Sequence, residues 1–455
     1  MNAPANGNRN CAIVIGGSIA GLLAARVLAK HYKQVILVER DSFPAVGEHR
    51  RGVPQSRHTH GILGSGRNVL EALFPGISDQ LVQAGAVPAD IVRDIRWCLG
   101  GGYLSRFKSG LDGLCASRPL LEGAVRARVK GLPNVLLREN CQVQALIGTS
   151  DNSRVIGVKL GGEALSADLV VDAMGRGSRS PQWLDAMGYQ KPKEDRVEVD
   201  LRYTTRHFRR SPQHSNDDAG IVIEPTLEGK RRGVMLAQEG NRWIVTLSGH
   251  FGNYAPPELR GFLDYAKSLP APYIYNAIRD AEPIDEPVSA RFPASVRHRY
   301  EHLQRFPGGY LVFGDAISSF NPTYGQGMSV AALQAMELNA ALRKGSEELS
   351  YHFFARAAKV VDVPWSIAAG SDLRMPEATG QRSAMLKFTN WYIAKLHKAA
   401  HTDQALTFAF LNVANLLAPP SSLMHPHLML RVLWGNWRRE KARLRDADLQ
   451  TIADA

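Results

Sequence analysis

The sequence has few cysteines, no internal repeat and no low-complexity linker. Its four cysteines, Cys11, Cys98, Cys115 and Cys141, show neither close pairs nor histidine partners at the spacing of metal ligands. This pattern argues against a zinc site or a disulfide framework and predicts a protein of the reducing cytoplasm. With 44% apolar and 22% charged residues, the composition excludes a disordered, collagen-like or coiled-coil chain.

Long hydrophobic runs are also missing. Residues 405–418 form a largely apolar stretch of 14, whereas a membrane-spanning helix needs about 20. Residues 11–28 are similar to the apolar part of a signal peptide. However, Arg9 is the only basic residue before them, and glycines interrupt the run. A buried strand and helix explain this run better.

Residues 428–439 carry Trp434 and Trp437 beside arginines. Such a helix can lie peripherally on an anionic membrane surface, but a helix that covers another domain is the favoured interpretation.

Basic residues outnumber acidic ones by 12. A surplus of this sign favours anionic cofactors, nucleic acid or acidic membranes as partners. The basic side chains occur in short scattered clusters without a nucleic-acid-binding motif, so no nucleic-acid partner is predicted.

The first 40 residues predict a βαβ unit. Residues 11–15 form a short apolar run typical of a buried parallel strand, residues 22–30 continue as a helix, and a second strand, 35–38, ends at Glu39. Between the first strand and the helix lies Gly-Gly-Ser-Ile-Ala-Gly, from Gly16 to Gly21, with Ser18 at the usual middle glycine. Small residues let a pyrophosphate approach the helix N-terminus, and Glu39 is placed to accept hydrogen bonds from a ribose. The motif predicts a dinucleotide but does not distinguish FAD from NAD.

Further along, the pattern predicts a helix over 119–130 and strands over 135–137, 155–160 and 167–171. Alternating stretches at 197–203 and 243–247 indicate a second, more antiparallel β unit. A strand at 310–313 and a helix over 328–342 return to the first unit, and the last hundred residues are helical in pattern.

Two more glycine-rich motifs follow predicted strands. One runs from Asp172 through Gly175 to Arg179, and the other begins at Gly314-Asp315-Ala316 and extends to Gly325-Gln326-Gly327-Met328. Together with the first motif, over residues 11–345, they resemble the class A flavoprotein monooxygenases with the para-hydroxybenzoate hydroxylase fold. The pattern is most similar to squalene-epoxidase-like and polyether-epoxidase-like members.

The resemblance implies an α/β protein, in which a Rossmann-like FAD-binding domain is interleaved with a mixed β-sheet substrate domain and followed by a C-terminal helical region. The predicted FAD-binding segments are 1–75, 111–188 and 299–345. The predicted substrate-domain segments are 76–110 and 189–298, and the helical region is 346–455.

The resemblance also implies a set of FAD-binding residues. The first glycine turn would face the pyrophosphate, Glu39 the adenosine ribose, Asp315 the ribityl chain or phosphates, and the third motif the pyrimidine edge of the flavin. Arg118, before a helix, and Arg50, on the flavin loop, resemble the arginines that contact FAD. The full set is Gly16, Ser18, Ile19, Ala20, Gly21, Glu39, Arg40, Arg50, Arg118, Asp172, Gly314, Asp315, Gly325, Gly327 and Met328.

Gln55, His58 and His60 lie in a polar loop. No nearby carboxylate or cysteine completes a metal site there, so no metal is predicted. We hypothesise that these three residues border the isoalloxazine.

The function implied is FAD-dependent oxygen insertion. NAD(P)H would act as a transient reductant, since no second complete Gly-x-Gly-x-x-Gly unit is present, or a partner reductase would deliver electrons. O2 would add at C4a, and the hydroperoxyflavin would epoxidise or hydroxylate a hydrophobic or aromatic natural-product-like substrate. The sequence nominates no catalytic acid or base.

Two alternatives remain open. One is a flavin-dependent reductase or dehydrogenase of a polyprenyl or polyketide double bond. The other is a non-enzymatic flavin-binding redox sensor. A flavin halogenase is less favoured, because a Trp-x-Trp signature and its accompanying lysine are absent.

Overall fold

The computed structural model describes residues 9–50, 52–211, 218–345 and 348–453, with the backbone alone over 442–453. The described residues divide into two compact units. The first unit is drawn from Met1–Ala86, Ala116–Val199 and Phe292–Asp372, and the second from Val87–Cys115, Asp200–Arg291 and Leu373–Ala455.

The strands are numbered in chain order. They are β1 Cys11–Ile15, β2 Gln34–Val38, β3 Val87–Asp90, β4 Ile95–Leu99, β5 Gly102–Tyr103, β6 Asp112–Cys115, β7 Val135–Arg138, β8 Val143–Gly148, β9 Val155–Leu160, β10 Glu163–Ser166, β11 Leu169–Asp172, β12 Lys193–Arg209, β13 Gly220–Ile223, β14 Arg231–Gln238, β15 Arg242–His250, β16 Val288–Arg299, β17 Tyr310–Val312 and β18 Ser318–Ser319.

The helices are numbered in the same way. They are α1 Ile19–Leu28, α2 Gly64–Leu73, α3 Ile77–Gln83, α4 Arg118–Lys130, α5 Ser180–Ala186, α6 Leu259–Lys267, α7 Tyr273–Ile278, α8 Gly327–Lys344, α9 Leu349–Asp372, α10 Ala384–Ala400, α11 Gln404–Ala414 and α12 Pro426–Ala453. Among the described helices, none combines the length and the apolar content that crossing a membrane requires.

A five-stranded parallel sheet, in the order β17-β11-β1-β2-β7, forms the core of the first unit. Its central strands are buried on both faces, which explains their continuous apolar sequences. Ile15 pairs with Val38 and with Asp172, and Asp172 pairs with Val312. The register therefore brings the turns after β1, β11 and β17 to the same edge of the sheet. The predicted Rossmann-like arrangement is confirmed.

The first unit also holds a smaller antiparallel sheet, in the order β10-β9-β8. On the parallel sheet, α1 packs against α8, and α8 packs in turn against α2 and α9.

The second unit contains a mixed sheet in which β12, β15, β14, β13, β4 and β5 are neighbours in that order. The β13–β4 pair is parallel, whereas the other pairs are antiparallel. One face of this sheet forms an apolar core with α6 and α7, around the fully buried Trp243, Phe208 and Phe262. This sheet is the mixed β-sheet that the sequence predicted.

The helices after residue 346, predicted as one region, divide between the two units at Asp372. In the first unit α9 packs along α8, and Asp362 on α9 accepts a hydrogen bond of 2.7 Å from the buried Arg297. In the second unit α10, α11 and α12 pack on one another. The helices therefore belong to different units because α9 packs on α8, whereas α10, α11 and α12 pack on one another. The predicted domain assignments themselves stay a prediction.

The packing of α1 on the turn before it predicts a strict requirement for glycine at position 21. A Cβ atom there would lie 1.8 Å from the Gly16 carbonyl oxygen. Gly21→Ala is therefore expected to lower the free energy of unfolding by about 3 kcal/mol, because backbone has to move. Gly162→Ala, where a Cβ has nothing within 4 Å, is the control and should change it by less than about 0.5 kcal/mol. Urea unfolding measures both, and equal midpoints for the two variants would contradict the prediction.

Candidate functional site

The first glycine turn is interlocked with both neighbouring strands. Gly16 has a left-handed φ of 101°, and its N–H donates to the Val38 carbonyl oxygen at 2.8 Å. A Cβ at Gly16 would lie 2.7 Å from the carbonyl oxygen of Ala173, after β11. Only glycine combines this φ with this approach. The turn therefore connects β1 to α1 in close contact with the ends of β2 and β11.

The other two motifs meet the first at this edge. A Cβ on Gly314, which has φ 68°, would lie 2.7 Å from the Cβ of Ala20 on α1. Asp315 lies between the two remaining motifs, because its Cβ is 3.8 Å from a Cβ built on Gly175 and its Oδ1 is 3.5 Å from one built on Gly327. Residues separated by up to 300 positions in sequence thus form one cradle.

Four buried charged side chains lie beneath this cradle. Arg50 Nη1 is 2.6 Å from Glu39 Oε2, and Arg50 Nη2 is 3.6 Å from Glu122 Oε1. Arg118 donates through Nε to Glu122 Oε2 at 3.0 Å and through Nη2 to Ser18 Oγ at 2.9 Å. Ser18 Oγ donates to Glu122 Oε2 at 2.9 Å. We call these five residues the buried charge network. Each of its charged members is more than nine-tenths buried.

Glu39 joins the network to the glycine turn. Its carboxylate accepts hydrogen bonds from the backbone N–H of Gly17 at 2.7 Å and of Asp41 at 3.1 Å. The acidic residue predicted at the end of β2 thus lies directly beside the turn.

Sequence reasoning missed Glu122, which links the two arginines. The signal that was available is its spacing, since Arg118 and Glu122 stand one helical turn apart on α4 and form an i,i+4 ion pair.

The surroundings of Asp315 disfavour the ionised form of its carboxyl group. Burial raises the pKa of its carboxyl group, although Arg118 and Arg176 act in the opposite direction. Within the part of the chain that the structure describes, no group donates a hydrogen bond to this carboxylate. A half-buried carboxylate that accepts no hydrogen bond from the described residues is typical of a ligand-binding position.

Asp172 has a different environment. It is fully buried and accepts hydrogen bonds from the Met174 N–H at 2.9 Å, from Ser178 Oγ at 2.6 Å and from Ser180 Oγ. Ser180 Oγ also lies 2.5 Å from the hydroxyl of Tyr310. The carboxylate therefore holds the second motif in shape, and its direct contact with a cofactor stays a prediction.

The third motif opens α8. Gly325 has φ 67°, Gln326 precedes the helix, and Gly327 is its first residue. Met328 is buried beside them. Gln326 is also buried, yet its Oε1 has no hydrogen-bond partner among the described residues. An unpaired acceptor next to the positive end of a helix fits a bound polar ligand.

Of the three loop residues, His58 is buried, His60 is half-buried and Gln55 is exposed. His60 Nδ1 lies 2.9 Å from the His58 carbonyl oxygen. Burial, with Arg57 and His49, lowers the pKa of His58 to about 4, and burial, with Arg118, lowers that of His60 to about 3. Because the charge of Arg118 affects the pKa of His60, the two side chains lie close together, and His60 is therefore near the buried charge network. Contact of these residues with the isoalloxazine stays a hypothesis.

Two predicted residues contribute no polar side-chain group to the cradle. The Arg40 side chain is 62% exposed, with its Nε 3.8 Å from Asp41 Oδ2. Ile19 is buried in the core as the first residue of α1.

The cradle fits a dinucleotide on three counts. Its two helices present N-termini whose first amides have no intrahelical partner. Cβ atoms on Gly16 and Gly314 would meet neighbouring atoms at the cradle, so glycine alone keeps these turns in place. Arg50 Nε and Gln326 Oε1 are buried there without hydrogen-bond partners among the described residues.

Comparisons with known proteins agree with this geometry. The family model described as an FAD-binding domain matches residues 10–348. Protein Rv3254 of Mycobacterium tuberculosis is 34% identical over 433 residues, which cover 89% of each chain. The expected cofactor, FAD, is thereby confirmed.

Solved structures share the fold. The flavin-dependent brominase Bmp2 has a TM-score of 0.65 at 14% identity, over 95% of this chain and 98% of its own. The p-nitrophenol 4-monooxygenase PnpA of Pseudomonas putida has a TM-score of 0.62 at 17% identity. PqsL of P. aeruginosa, in complex with 2-aminobenzoylacetate, has a TM-score of 0.62 at 16% identity. Both of these cover 89% of this chain and 99% of their own.

Asp315 generates a prediction with two opposite effects. Because burial raises its pKa, the ionised carboxylate destabilises the FAD-free fold at neutral pH. Asp315→Asn is expected to raise the Tm of FAD-free protein by about 1–3 °C at pH 7, with the gain vanishing below the ordinary aspartate pKa of 3.8. The same change should weaken FAD binding about tenfold or more, because it removes a charged acceptor.

The exposed Asp264→Asn is the matched control and should change neither quantity. Calorimetry and titration with FAD measure the two effects. A variant that binds FAD as tightly as the natural chain would contradict the proposed role of Asp315.

His58 predicts acid sensitivity of the first unit. Its folded pKa of about 4 lies below the ordinary value of 6.5, so the unfolded chain takes up the proton first as the pH falls. The contribution of neutral His58 to the free energy of unfolding is fully present above about pH 6.5 and declines as the pH falls toward 4. His58→Gln should therefore lose less stability between pH 7.5 and 5 than the natural chain, as measured by urea midpoints. The exposed His352→Gln serves as control, and identical pH dependence in all three proteins would contradict the prediction.

Proposed function

We propose that the chain, which belongs to the FAD-binding domain family and shares its fold with flavin-dependent monooxygenases and a brominase, inserts one oxygen atom from O2 into an apolar or aromatic natural-product-like substrate. FAD is its cofactor, and NAD(P)H is the usual reductant of the family. A small molecule and O2 are the substrates of such enzymes. The observation that carries the proposal is the convergence of three glycine motifs on one edge of the parallel sheet.

We propose a set of partners for each part of FAD. The turn from Gly16 to Gly21, through Ser18, Ile19 and Ala20, would bind the pyrophosphate, with Arg50 and Arg118 as its cationic neighbours. Glu39 would hold the adenosine ribose, and Asp315 would accept hydrogen bonds from the ribityl hydroxyls. Gly325, Gly327 and Met328 would lie along the pyrimidine edge. When bound and reduced, FAD supplies the activation of O2 and the transfer of one oxygen atom.

The N-terminus of α8 has an electrostatic role in this arrangement. Its positive end would stabilise negative charge on the pyrimidine edge of bound, reduced flavin. Gly325 and Gly327 let the backbone approach closely, and Gln326 offers an amide beside them. Among the described residues of the cradle there is no acid–base triad, and burial lowers the pKa values of the loop histidines His58 and His60, in keeping with a protein that orients and shields its reactants.

The substrate class rests on two supports. The sequence pattern resembles epoxidases of apolar natural products, and the names of two structural relatives include aromatic compounds, p-nitrophenol and 2-aminobenzoylacetate. Hydroxylation of a phenol benefits from a base, whereas epoxidation needs none. The likeness to a brominase at 14% identity concerns the fold.

Isotope labelling tests the proposal. The purified yellow protein, reduced with NADPH or with dithionite, is mixed with ¹⁸O2 and with p-nitrophenol, 2-aminobenzoylacetate or squalene as probes. We expect one ¹⁸O atom in the product of at least one probe. Gly16→Val should be purified without flavin and without activity, because its side chain would meet Ala173, whereas Gly162→Ala should retain both.

The alternatives give other results. Product formed under argon without label would indicate a reductase or dehydrogenase of double bonds. A bound flavin that dithionite fails to reduce, or that O2 fails to reoxidise, would indicate a flavin-binding sensor.

A further inference from the structure

The last long helix of the second unit exposes an apolar face. On α12, Leu430, Leu433, Trp434 and Trp437 are 51–67% exposed and recur at helical spacing. The rings of Trp434 and Trp437 lie 5.0 Å apart. Large side chains at i, i+3, i+4 and i+7 normally face a core. Here they point to the surface, and a contiguous apolar patch of this kind marks an interaction site.

α12 is nevertheless well packed through its opposite face. Val432 is 1% exposed, and a Cβ on Gly435 would lie 2.9 Å from the Cβ of Ala399 on α10. Asn436 Nδ2 donates to the Lys395 carbonyl oxygen at 2.9 Å. The exposed tryptophans are therefore not left over from poor packing of the helix. The chain uses one face of α12 for its own fold and leaves the apolar face to solvent.

A second stripe lies on α10. Met385, Phe388 and Trp391 are 43–71% exposed, and the Phe388 and Trp391 rings lie 5.8 Å apart. α10 packs against α12, because Asn436 bonds to Lys395 and Arg439 to Lys398. We call the two stripes together the α10–α12 apolar face.

The charged side chains in the segment that carries this face are mostly basic. Residues 381–441 contain eight lysines and arginines against two acidic residues, Asp403 and Glu440. Asp403 is already paired with Arg431, with bonds of 2.9 and 3.1 Å. Lys441 Nζ lies 5.2 Å from the ring centre of Trp437, so a cation stands directly beside the apolar stripe.

We propose that the α10–α12 apolar face docks on the surface of an anionic phospholipid bilayer. Tryptophan prefers the boundary between headgroups and acyl chains, and basic side chains around it are attracted to anionic lipid. A second copy of the chain would bring the same positive charges against this face, which opposes self-association. Charge complementarity therefore favours lipid.

Docking by this face lays α12 in the plane of the membrane. It would give the enzyme access to substrates dissolved in the bilayer, but it does not depend on the proposed chemistry. The sequence favoured a helix that covers another domain, whereas in this proposal α12 packs on α10 through one face and contacts lipid through the other.

Co-sedimentation with sucrose-loaded vesicles tests the proposal on the full flavin-containing chain. Vesicles of phosphatidylcholine alone are compared with vesicles containing one quarter phosphatidylglycerol, at about 0.1 M and about 0.5 M salt. We expect binding to the anionic vesicles at least about tenfold tighter than to the neutral ones, and weakened by high salt. Quenching of tryptophan fluorescence by brominated lipid reports insertion directly.

Two double variants separate the two contributions. Trp434→Ser with Trp437→Ser should lower binding at least about tenfold through lost apolar area. Lys395→Glu with Lys398→Glu should lower it by a similar factor through charge, at roughly fivefold for each basic residue. The controls are Leu227→Ser, whose side chain is 50% exposed in the same unit, and Lys130→Glu at an exposed site of the first unit. Flavin content and circular dichroism verify that each variant is folded.

The contrary outcomes are distinct. Equal binding to neutral and anionic vesicles, or binding that both double variants retain, would overturn the proposal. So would absence of vesicle binding together with a dimer, seen by sedimentation equilibrium, that the tryptophan double variant dissociates. That last result would assign the face to a second copy of the chain.

Discussion

The first unit depends on two carboxylates and two guanidinium groups that are buried together beside a glycine turn. Buried charges are costly unless they are paired, and removing one partner of such a pair typically costs about 3–5 kcal/mol. Here Glu39, Arg50, Glu122 and Arg118 neutralise one another, and Ser18 ties them to the start of α1. The network therefore fixes the flavin loop and α4 relative to the Rossmann turn. Through the Arg118–Ser18 hydrogen bond, a guanidinium group also lies directly beside the first glycine turn.

A second constraint is the register of the parallel sheet. The strands β17, β11 and β1 are neighbours in that order and end at the same level. The turns that follow them therefore lie next to one another. Each turn then contributes one property: Gly16 an approach of backbone to backbone, Asp315 a carboxylate without donors, and Gly327 a helix N-terminus. None of these properties alone makes a cofactor site. Their coincidence at one edge is what the parallel arrangement supplies.

Local sequence predicted the elements of the first unit well. The strands over 11–15 and 35–38 and the helix after Pro119 were predictable because buried apolar runs and a helix-starting proline are local signals. Alternation predicted a second, more antiparallel β unit, and the family resemblance implied that its sheet is mixed. Glu122 and Gln334 were not nominated, because their roles arise from partners such as Ser18 and Gly314 that are distant in sequence. The hydrogen bonds that occupy Asp172 also come from its folded loop. For α12, Trp434 and Trp437 were noticed, but sequence does not say which face of a helix the rest of the protein covers.

The position of β17 in the chain sets the time at which the cradle is completed during synthesis. Four strands of the parallel sheet are finished by Asp172, yet the fifth is Tyr310–Val312, and α8 follows it. A nascent chain that has left the ribosome up to the second motif therefore holds only part of the edge. Since contacts between such distant segments form late, FAD capture is a concluding event of folding. Bound FAD would then connect the turn after β1, which is made early, with the turn after β17, which is made late.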